Sequence, residues 1–212
     1  MTANPMVFVV DDNEAVRVSL RRLLSANGIA VEDFPTPVAF LARAPHDGPA
    51  CALVDLVMPG MTGLELQRRL VEAGHPIPII FISGAADVPS AVQAMREGAV
   101  DFLQKPLDGT TLVAAVRKWL DRDAAARLAR AEERALSAQA AKLTARERLA
   151  LSLIAQGLTN REMGERMGTT ERTAKAYRVR LRTKLNVETT SALVRFAERA
   201  GLATAEGAPG KH

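Results

Sequence analysis

The 212-residue chain is long enough for one large domain or two small ones, and its 48% hydrophobic and 25% charged residues are typical of a globular protein. No apolar run reaches the ~20 residues of a membrane span, no signal-peptide pattern is present, and one cysteine excludes an intrachain disulfide, so we expect a cytoplasmic protein without a membrane partner. Residues 1–121 hold 10 Lys and Arg against 14 Asp and Glu, whereas residues 122–212 hold 18 against 10, and this basic second part indicates a nucleic-acid partner.

Strands and helices are predicted to alternate through the first 120 residues. Short apolar runs predict five strands, at 6–10, 30–34, 51–55, 77–82 and 100–103. Apolar periodicity predicts helices over 14–26, 37–44, 62–73 and 87–97, and Asp108 is predicted to cap a fifth helix. The alternation indicates an α/β domain with a (βα)5 doubly wound parallel sheet, covered by helices on both faces.

Polar side chains end four of these strands: Asp11 and Asp12, then Asp55, Ser83 and Lys105. A lone Asp at a strand end is often only a cap or a turn former. In a parallel sheet, however, these ends share one edge, and three carboxylates there would repel each other without a cation. Oxygen ligands without His or Cys favour Mg²⁺. A lysine and a hydroxyl beside a metal-bound carboxylate are the groups that phosphoryl transfer to Asp55 requires.

This part of the chain resembles the receiver domain of bacterial two-component response regulators. The resemblance is carried by Val9-Val10-Asp11-Asp12, Asp55-Leu56-Val57-Met58-Pro59-Gly60 with Gly63, Ser83-Gly84 and Lys105-Pro106. It implies that Asp55 is the phosphoacceptor and that Mg²⁺ is held by Asp11, Asp12, Asp55 and the backbone carbonyl of Val57. Ser83 and the switch aromatic Phe102 would respond to the phosphoryl group. Residues 87–103 resemble the FixJ-type branch of the family.

Residues 122–142 are rich in Ala, Arg and Glu and contain no Gly or Pro, which predicts a helical linker. Leu128, Leu136 and Leu143 indicate a thin apolar seam rather than a core. The linker is then either a spacer, which we favour, or an extension of the preceding helix that helps a dimer. Residues 206–212 are expected to form a flexible tail.

The segment 143–205 is predicted to be a small all-α domain. Thr144, Asn160 and Thr170 are predicted helix caps, and the last two helices they begin, joined at Gly168, predict a helix-turn-helix. A small packing module without DNA binding is the alternative. On the helix predicted over 171–185, a buried face is expected to contain Ala174, Tyr177, Leu181 and Leu185. Small and basic residues share the opposite face, which indicates a helix that enters the major groove.

The second domain resembles the LuxR/NarL-type output domain through Leu143-Thr144, Arg146-Glu147, Gly157-Leu158-Thr159-Asn160-Arg161-Glu162, Thr173, Lys175 and Lys184-Leu185-Asn186-Val187. The resemblance implies a DNA-binding helix on which Lys175, Ala176 and Val179 face bases, and Arg178, Arg182 and Lys184 contact the DNA backbone. Arg172 and Thr183 lie on the same face and complete the predicted set. Ala174, Tyr177 and Gly164 depart from the Val, His and Ala that are usual. Gly164 is expected to weaken its helix by up to ~1 kcal/mol.

The sequence therefore predicts a DNA-binding response regulator of the NarL/FixJ type, which is not an enzyme. A sensor histidine kinase would phosphorylate Asp55, and the phosphorylated homodimer would bind double-stranded DNA and activate transcription with RNA polymerase. Two alternatives remain open. An aspartate-nucleophile phosphatase would need a second acid at position 57, where Val57 stands. A regulator or adaptor that works without phosphorylation would keep the receiver for protein contacts only.

Overall fold

The computed structural model describes residues 4–74, 77–84, 95–96 and 98–203. The chain divides into two compact units between Leu128 and Ala129. The helix predicted over 87–97 lies outside the described residues except for Met95 and Arg96, which are helical, and the predicted tail 206–212 lies outside them entirely. Among the described helices, none is both long enough and apolar enough to cross a bilayer.

The first unit contains a parallel five-stranded sheet with the strand order β2-β1-β3-β4-β5. Its strands are β1 (Met6–Val10), β2 (Ala30–Phe34), β3 (Ala50–Asp55), β4 (Ile79–Ser83) and β5 (Asp101–Gln104). The described helices are α1 (Glu14–Ala26), α2 (Pro37–Leu41), α3 (Gly63–Glu72) and α4 (Gly109–Ala141), the last of which continues into the second unit. The predicted doubly wound parallel sheet is confirmed.

Each face of the sheet forms its own core, because successive strand residues point to opposite faces. On one face, Phe8, Val54 and Phe81 pack with Leu66 of α3. On the other face, Leu53 and its strand neighbours pack with α1 and the first part of α4. β3 is fully buried from Ala50 to Val54, and this burial holds the following residue, Asp55, in a fixed position.

Several predicted boundaries in this unit shift by one to three residues. β4 begins at Ile79 rather than at 77, because Pro78 has no amide proton to donate to a strand ladder. The Pro78 carbonyl instead accepts a hydrogen bond from the Ala52 amide, with an N···O distance of 2.8 Å. β5 includes Gln104, which pairs with Ser83. α2 ends at Leu41 instead of 44, shortly before Pro45, which disfavours helix in the residue before it.

The predicted linker is helical, and it continues the preceding helix without a break as part of α4. Asp123 of this helix is buried and accepts hydrogen bonds from the Ala50 amide (2.9 Å) and from Nε of Arg127 (2.6 Å). Leu128 is 63% exposed. Leu143 is buried in the core of the second unit, and Leu136 packs against that core. The prediction of a thin seam rather than a core is therefore wrong for these two residues.

The second unit is all-α. Beyond the end of α4 it contains α5 (Ala145–Ala155), α6 (Asn160–Met167), α7 (Glu171–Leu185) and α8 (Thr190–Arg199). Capping residues set the helix starts: Thr144 caps α5 and Thr170 caps α7, as predicted. The predicted cap Asn160 is wrong, since Thr159 forms a capping box with Glu162 and Asn160 becomes the first helical residue.

Gly164 lies where α6 meets the turn that leads into α7. A Cβ at this position would lie 3.0 Å from the Thr169 carbonyl oxygen and 3.2 Å from the Glu171 nitrogen. The Thr169 amide also donates a 2.8 Å hydrogen bond to the Gly164 carbonyl. The glycine therefore permits a close backbone approach, and the expectation that it only weakens α6 is incomplete.

Candidate functional site

Three carboxylates meet at the carboxyl-terminal edge of the sheet. β1 and β3 are neighbours with Val10 opposite Val54, and this register places Asp11 beside Asp55. One carboxylate oxygen from each of Asp11, Asp12 and Asp55 lies within 4.8 Å of the others. Asp11 is buried, Asp55 is half-buried and Asp12 is exposed, so the cluster opens to solvent on one side. The predicted meeting of these strand ends is thus present in the structure.

Lys105 joins this cluster from the segment after β5. Its Nζ lies 3.0 Å from Oδ2 of Asp11 and 3.3 Å from Oδ2 of Asp55. The backbone positions it, because the Lys105 amide donates a 2.8 Å hydrogen bond to the carbonyl of Ser83 at the end of β4. Burial lowers the pKa of Lys105, but its hydrogen bonds and charge interactions with the two aspartates outweigh burial, and the pKa is raised overall.

The environment of Asp55 raises its pKa above the usual range. Burial is the main cause of the rise, the Lys105 charge opposes it, and the Asp11 charge adds to it. A hydrogen bond from the Val57 amide also stabilises the ionised carboxylate and lowers the pKa. A second positive charge near the cluster would lower the pKa of Asp55 further.

The donor set of the cluster fits a hard divalent cation. Three carboxylates offer oxygen ligands, and the single ammonium group of Lys105 offsets only one of their charges. Neither His nor Cys contributes to this group of ligands. Mg²⁺ prefers such ligands and keeps several waters, which the open side at Asp12 permits. Asp11, Asp12 and Asp55 are therefore the residues of this cluster that would hold the ion.

Arg17 of α1 supports the acidic loop, and the sequence analysis missed it. One guanidinium nitrogen donates to the backbone carbonyls of Asp11 (2.8 Å) and Asp12 (3.1 Å). Its Nε pairs with Asp33 at 3.3 Å, and Arg21 pairs with the other oxygen of that carboxylate. The side chain of Arg17 is only 12% exposed. These contacts fix the direction in which the loop presents its two carboxylates.

Gly63 allows α3 to approach β3 closely. A Cβ at this position would lie 2.6 Å from the backbone oxygen of Asp55 and 2.7 Å from the ring of Phe81. The Gly63 amide donates a 3.0 Å hydrogen bond to the carbonyl of Leu56. Steric crowding therefore explains why this position of the receiver motif is a glycine, since any side chain would displace the backbone of Asp55.

The two predicted switch residues lie on neighbouring strands. Ser83 is buried at the end of β4, beside β3. Phe102 is half-buried on β5 and is paired with Phe81. A cavity of about 210 Å³ is lined by Phe102, Pro106 and Leu112, among others. Phe102 is therefore one of the residues beside this pocket.

In the second unit, α7 separates a buried face from an exposed one. Ala174, Leu181 and Leu185 are buried and Tyr177 is partly buried against the core, as predicted. The exposed residues of the predicted DNA-binding set are Arg172, Lys175, Ala176, Val179, Arg182, Thr183 and Lys184. The exposed face thus combines cations with small side chains.

Two members of the predicted set are engaged inside the domain. Arg178 donates from Nε to Oδ1 of Asn160 at 2.7 Å, and a terminal nitrogen donates to the Leu158 carbonyl. Nζ of Lys184 lies 2.7 Å from the buried carboxylate of Glu147. A helical wheel of α7 alone cannot reveal these partners, because they lie on α5 and around the start of α6. Both side chains hold α7 in place.

Comparison with known proteins matches both units. Residues 7–117 match the response regulator receiver domain, and residues 141–197 match the luxR family of bacterial regulatory proteins. The chain is 39% identical over 203 residues to the transcriptional regulatory protein FixJ of Azorhizobium caulinodans, covering 95% of this chain and 96% of that protein.

Two solved structures also align with nearly the whole chain. The response regulator StyR is 38% identical and covers 93% of this chain and 100% of its own, with a TM-score of 0.87. Full-length FixJ from B. japonicum is 35% identical and covers 95% of this chain and 99% of its own, with a TM-score of 0.57. The likeness therefore extends over both units and is not confined to one domain.

Proposed function

Because the chain belongs to the FixJ-type response regulators, which join a receiver domain to a luxR-family DNA-binding domain, we propose that phosphorylation of Asp55 controls DNA binding by α7. Members of this family are transcription regulators and not enzymes, which excludes the alternative of an aspartate-nucleophile phosphatase. The observation that supports the choice of Asp55 is its place in a cluster of three carboxylates contacted by Lys105.

In the proposed reaction, an oxygen of Asp55 attacks the phosphorus of a phosphohistidine on a sensor histidine kinase. The new O–P bond forms as the P–N bond breaks, and the histidine leaves as a neutral imidazole after it takes up a proton. Lys105 is placed to stabilise charge on the phosphoryl oxygens, since it already reaches Asp55. Asp11, Asp12 and Asp55 would hold Mg²⁺ together with the Val57 carbonyl, and the ion would supply positive charge beside the transferred group.

Ser83 and Phe102 are the proposed link from the acceptor to the surface of the domain. Ser83 ends the strand next to Asp55, so a hydroxyl there can donate to a phosphoryl oxygen. The cavity beside Phe102 gives its ring room to change rotamer. Such a change selects between two existing states, and a few kcal/mol of differential stability are enough to shift them.

On the DNA side, we place Lys175, Ala176, Val179 and Thr183 against base edges, and Arg172 and Arg182 near phosphates. Arg178 and Lys184 keep their intradomain contacts and act by holding α7. A phosphorylated homodimer would read two half-sites and gain affinity without any new kind of contact. RNA polymerase is the further partner that activation requires, and the cytoplasm is the compartment where kinase and DNA are both reached.

The acceptor assignment is tested by incubating the protein with acetyl phosphate and Mg²⁺ and separating the products on a phosphate-affinity gel. We expect the phosphorylated band to disappear in Asp55→Asn and to remain in Asp47→Asn, which changes an exposed aspartate of the same unit. A band that persists in Asp55→Asn, or that needs no divalent cation, contradicts the assignment.

Footprinting before and after phosphorylation tests the control of DNA binding. We expect tighter protection by the phosphorylated protein, lost in Asp55→Asn. Equal affinity in both states would instead support the alternative of a regulator that works without phosphorylation.

A further inference from the structure

The exposed face of α7 carries a strip of hydrocarbon that its basic character does not explain. The strip consists of Ala176, Val179 and Thr183, spaced by one turn each, and we call it the methyl strip. Val179 is 51% exposed. Among the described residues of the second unit, Leu149 is the other exposed large hydrophobic side chain, at 40%. An apolar side chain this open on a DNA-facing helix points to an apolar ligand group.

Thr183 belongs to the methyl strip because of the contact its hydroxyl makes. Oγ1 of Thr183 donates to the carbonyl of Val179, one turn earlier on the same helix, at 3.2 Å. The hydroxyl hydrogen is thus used within the helix, and the remaining group of this exposed side chain is a methyl. The strip therefore offers methyl groups at three successive turns rather than hydrogen-bond donors.

Cations border the methyl strip on both sides, with Lys175 and Arg182 on one side and Arg180 on the other. All three are exposed, and within the described part of the chain none of them forms a salt bridge. Positive charge on both sides of the strip matches the charge of DNA, whose phosphates line the groove. Small apolar groups between these cations allow the helix backbone to come close to the bases.

In the major groove, thymine alone among the four bases presents a methyl group, while the other groups along the base edges are hydrogen-bond donors and acceptors. A base whose polar edge faced Val179 would lose water and gain no partner. We propose that the methyl strip reads thymine C5-methyl groups, so that each half-site contains thymine where Val179 lies. This inference rests on the proposed DNA-binding function and specifies the base chemistry that α7 recognises.

The test removes single methyl groups from the DNA. A binding site is first selected from random sequence with the phosphorylated full-length protein, and each thymine of the half-site is then replaced by uracil. We expect one or two of these replacements to weaken binding about three- to fivefold, the value for one buried methyl group. In Val179→Ala the same replacement is expected to weaken binding less than about twofold, because the contact is already lost.

Two matched variants separate this effect from general changes in affinity. Lys175→Ala is expected to weaken thymine and uracil sites by the same factor, because a lysine does not contact a methyl group. Leu149→Ala changes the other exposed hydrophobic side chain of the unit and is expected to leave the thymine-to-uracil ratio as it is. Replacing the sensitive thymine by 5-methylcytosine, paired with guanine, should bind more tightly than cytosine at the same position.

The inference is overturned if no uracil replacement changes the affinity, or if the penalty is the same in Val179→Ala as in the unchanged protein. Failure of the proposed function has a different signature. In that case the selection yields no preferred sequence, or the preferred sequence is bound equally well when α7 carries Lys175→Ala and Arg182→Ala together.

Discussion

The acceptor site and the DNA-binding face are built in opposite ways. The acceptor site gathers side chains from distant parts of the chain, as in the contact between Lys105 and Asp11, which are 94 residues apart. Lys105, Asp11 and Asp55 are paired with one another and are buried or half-buried, while Asp12 lies on the side that opens to solvent. The DNA-binding face comes from the single helix α7, and its cations Arg172, Lys175 and Arg182 stand open to solvent.

This difference follows from what each surface has to detect. In the proposed acceptor site, a phosphoryl group would enter a set of charges that already balance in part, and it would compete with the existing contacts of Lys105. At the DNA-binding face, the cations Arg172, Lys175 and Arg182 are exposed and form no salt bridge within the described residues. No such ion pair has to break when they contact DNA. The first surface is suited to switching, and the second to binding.

The largest effect is expected at Gly63, where α3 closely approaches the backbone of Asp55. Gly63→Ala should lower the free energy of unfolding of the first unit by about 3 kcal/mol, because its Cβ would overlap the Asp55 carbonyl and the Phe81 ring. Trp119, the single tryptophan, lies in this unit and provides a fluorescence signal for denaturant unfolding. Gly84→Ala is the control, since its Cβ would meet open space. Equal midpoints for Gly63→Ala and the unchanged protein would show that the approach is not needed.

In the second unit, the ion pair between Lys184 and the buried Glu147 contrasts with the exposed cations of α7. Lys184→Met should destabilise this unit by about 2 kcal/mol, because the buried carboxylate of Glu147 loses its cation. Lys175→Met changes an exposed lysine of the same helix and should have no measurable effect on stability. Hydrogen–deuterium exchange of the full-length protein, followed on peptides of α5 and α7, measures both. Similar protection in the two variants would contradict the structural role of Lys184.

The same pair predicts a pH dependence. Hydrogen bonds from Lys184 and from the Thr144 amide lower the pKa of Glu147 in the folded state. A lowered folded pKa means that the stability from Glu147 is complete above the unfolded value of about 4.3 and is lost as the pH falls through the folded value. Exchange measured over this acidic range should show a smaller change for Glu147→Gln than for the unchanged protein. An identical acid response in both would remove Glu147 as its source.

A variant of Arg17 tests whether Mg²⁺ binding by the acidic cluster depends on the contacts of this side chain with the Asp11 and Asp12 carbonyls. Arg17→Ala should weaken Mg²⁺ binding, measured by calorimetry, by up to about tenfold, the lower end of the range for groups that orient metal ligands. Arg21→Ala is a matched control, because Arg21 shares the Asp33 carboxylate but does not contact the carbonyls of Asp11 and Asp12. If both variants bind Mg²⁺ equally, the loop does not need the guanidinium.

The smallest effect is expected where α6 meets its turn. Gly164→Ala gains about 1 kcal/mol of helix propensity but crowds the backbone at Thr169 and Glu171. We expect the two to cancel within about 1 kcal/mol, so that thermal unfolding of the second unit changes by only a few degrees. A clear stabilisation by the full propensity gain would show that the turn adapts to a side chain.

The sequence predicted the features that local patterns encode. The edge where Asp11, Asp55 and Lys105 meet was predictable, because apolar runs locate strand ends and parallel strands end on one edge. The buried face of α7 was predictable from its helical period. The cap at Thr159 was readable from the Glu162 that follows three residues later, although Asn160 was preferred.

The features that escaped prediction depend on partners that lie outside the residue's own helix. Arg17 reaches the acidic loop only when α1 folds back on β1, and its second partner Asp33 comes from β2. Arg178 and Lys184 looked free because a helical wheel contains one helix, whereas their partners come from Leu158, Asn160 and Glu147. A side chain with long reach can satisfy several such arrangements, and only the tertiary structure selects one.

The hydrogen bond between Asp123 and the first amide of β3 has a practical consequence for dissecting the protein. A receiver fragment that stops at residue 121 would expose the start of the strand that ends in Asp55. It would also discard Arg127, whose side chain reaches the carbonyls of His46 and Asp47. An expression fragment intended to isolate the first unit should therefore extend through Leu128, where the chain divides.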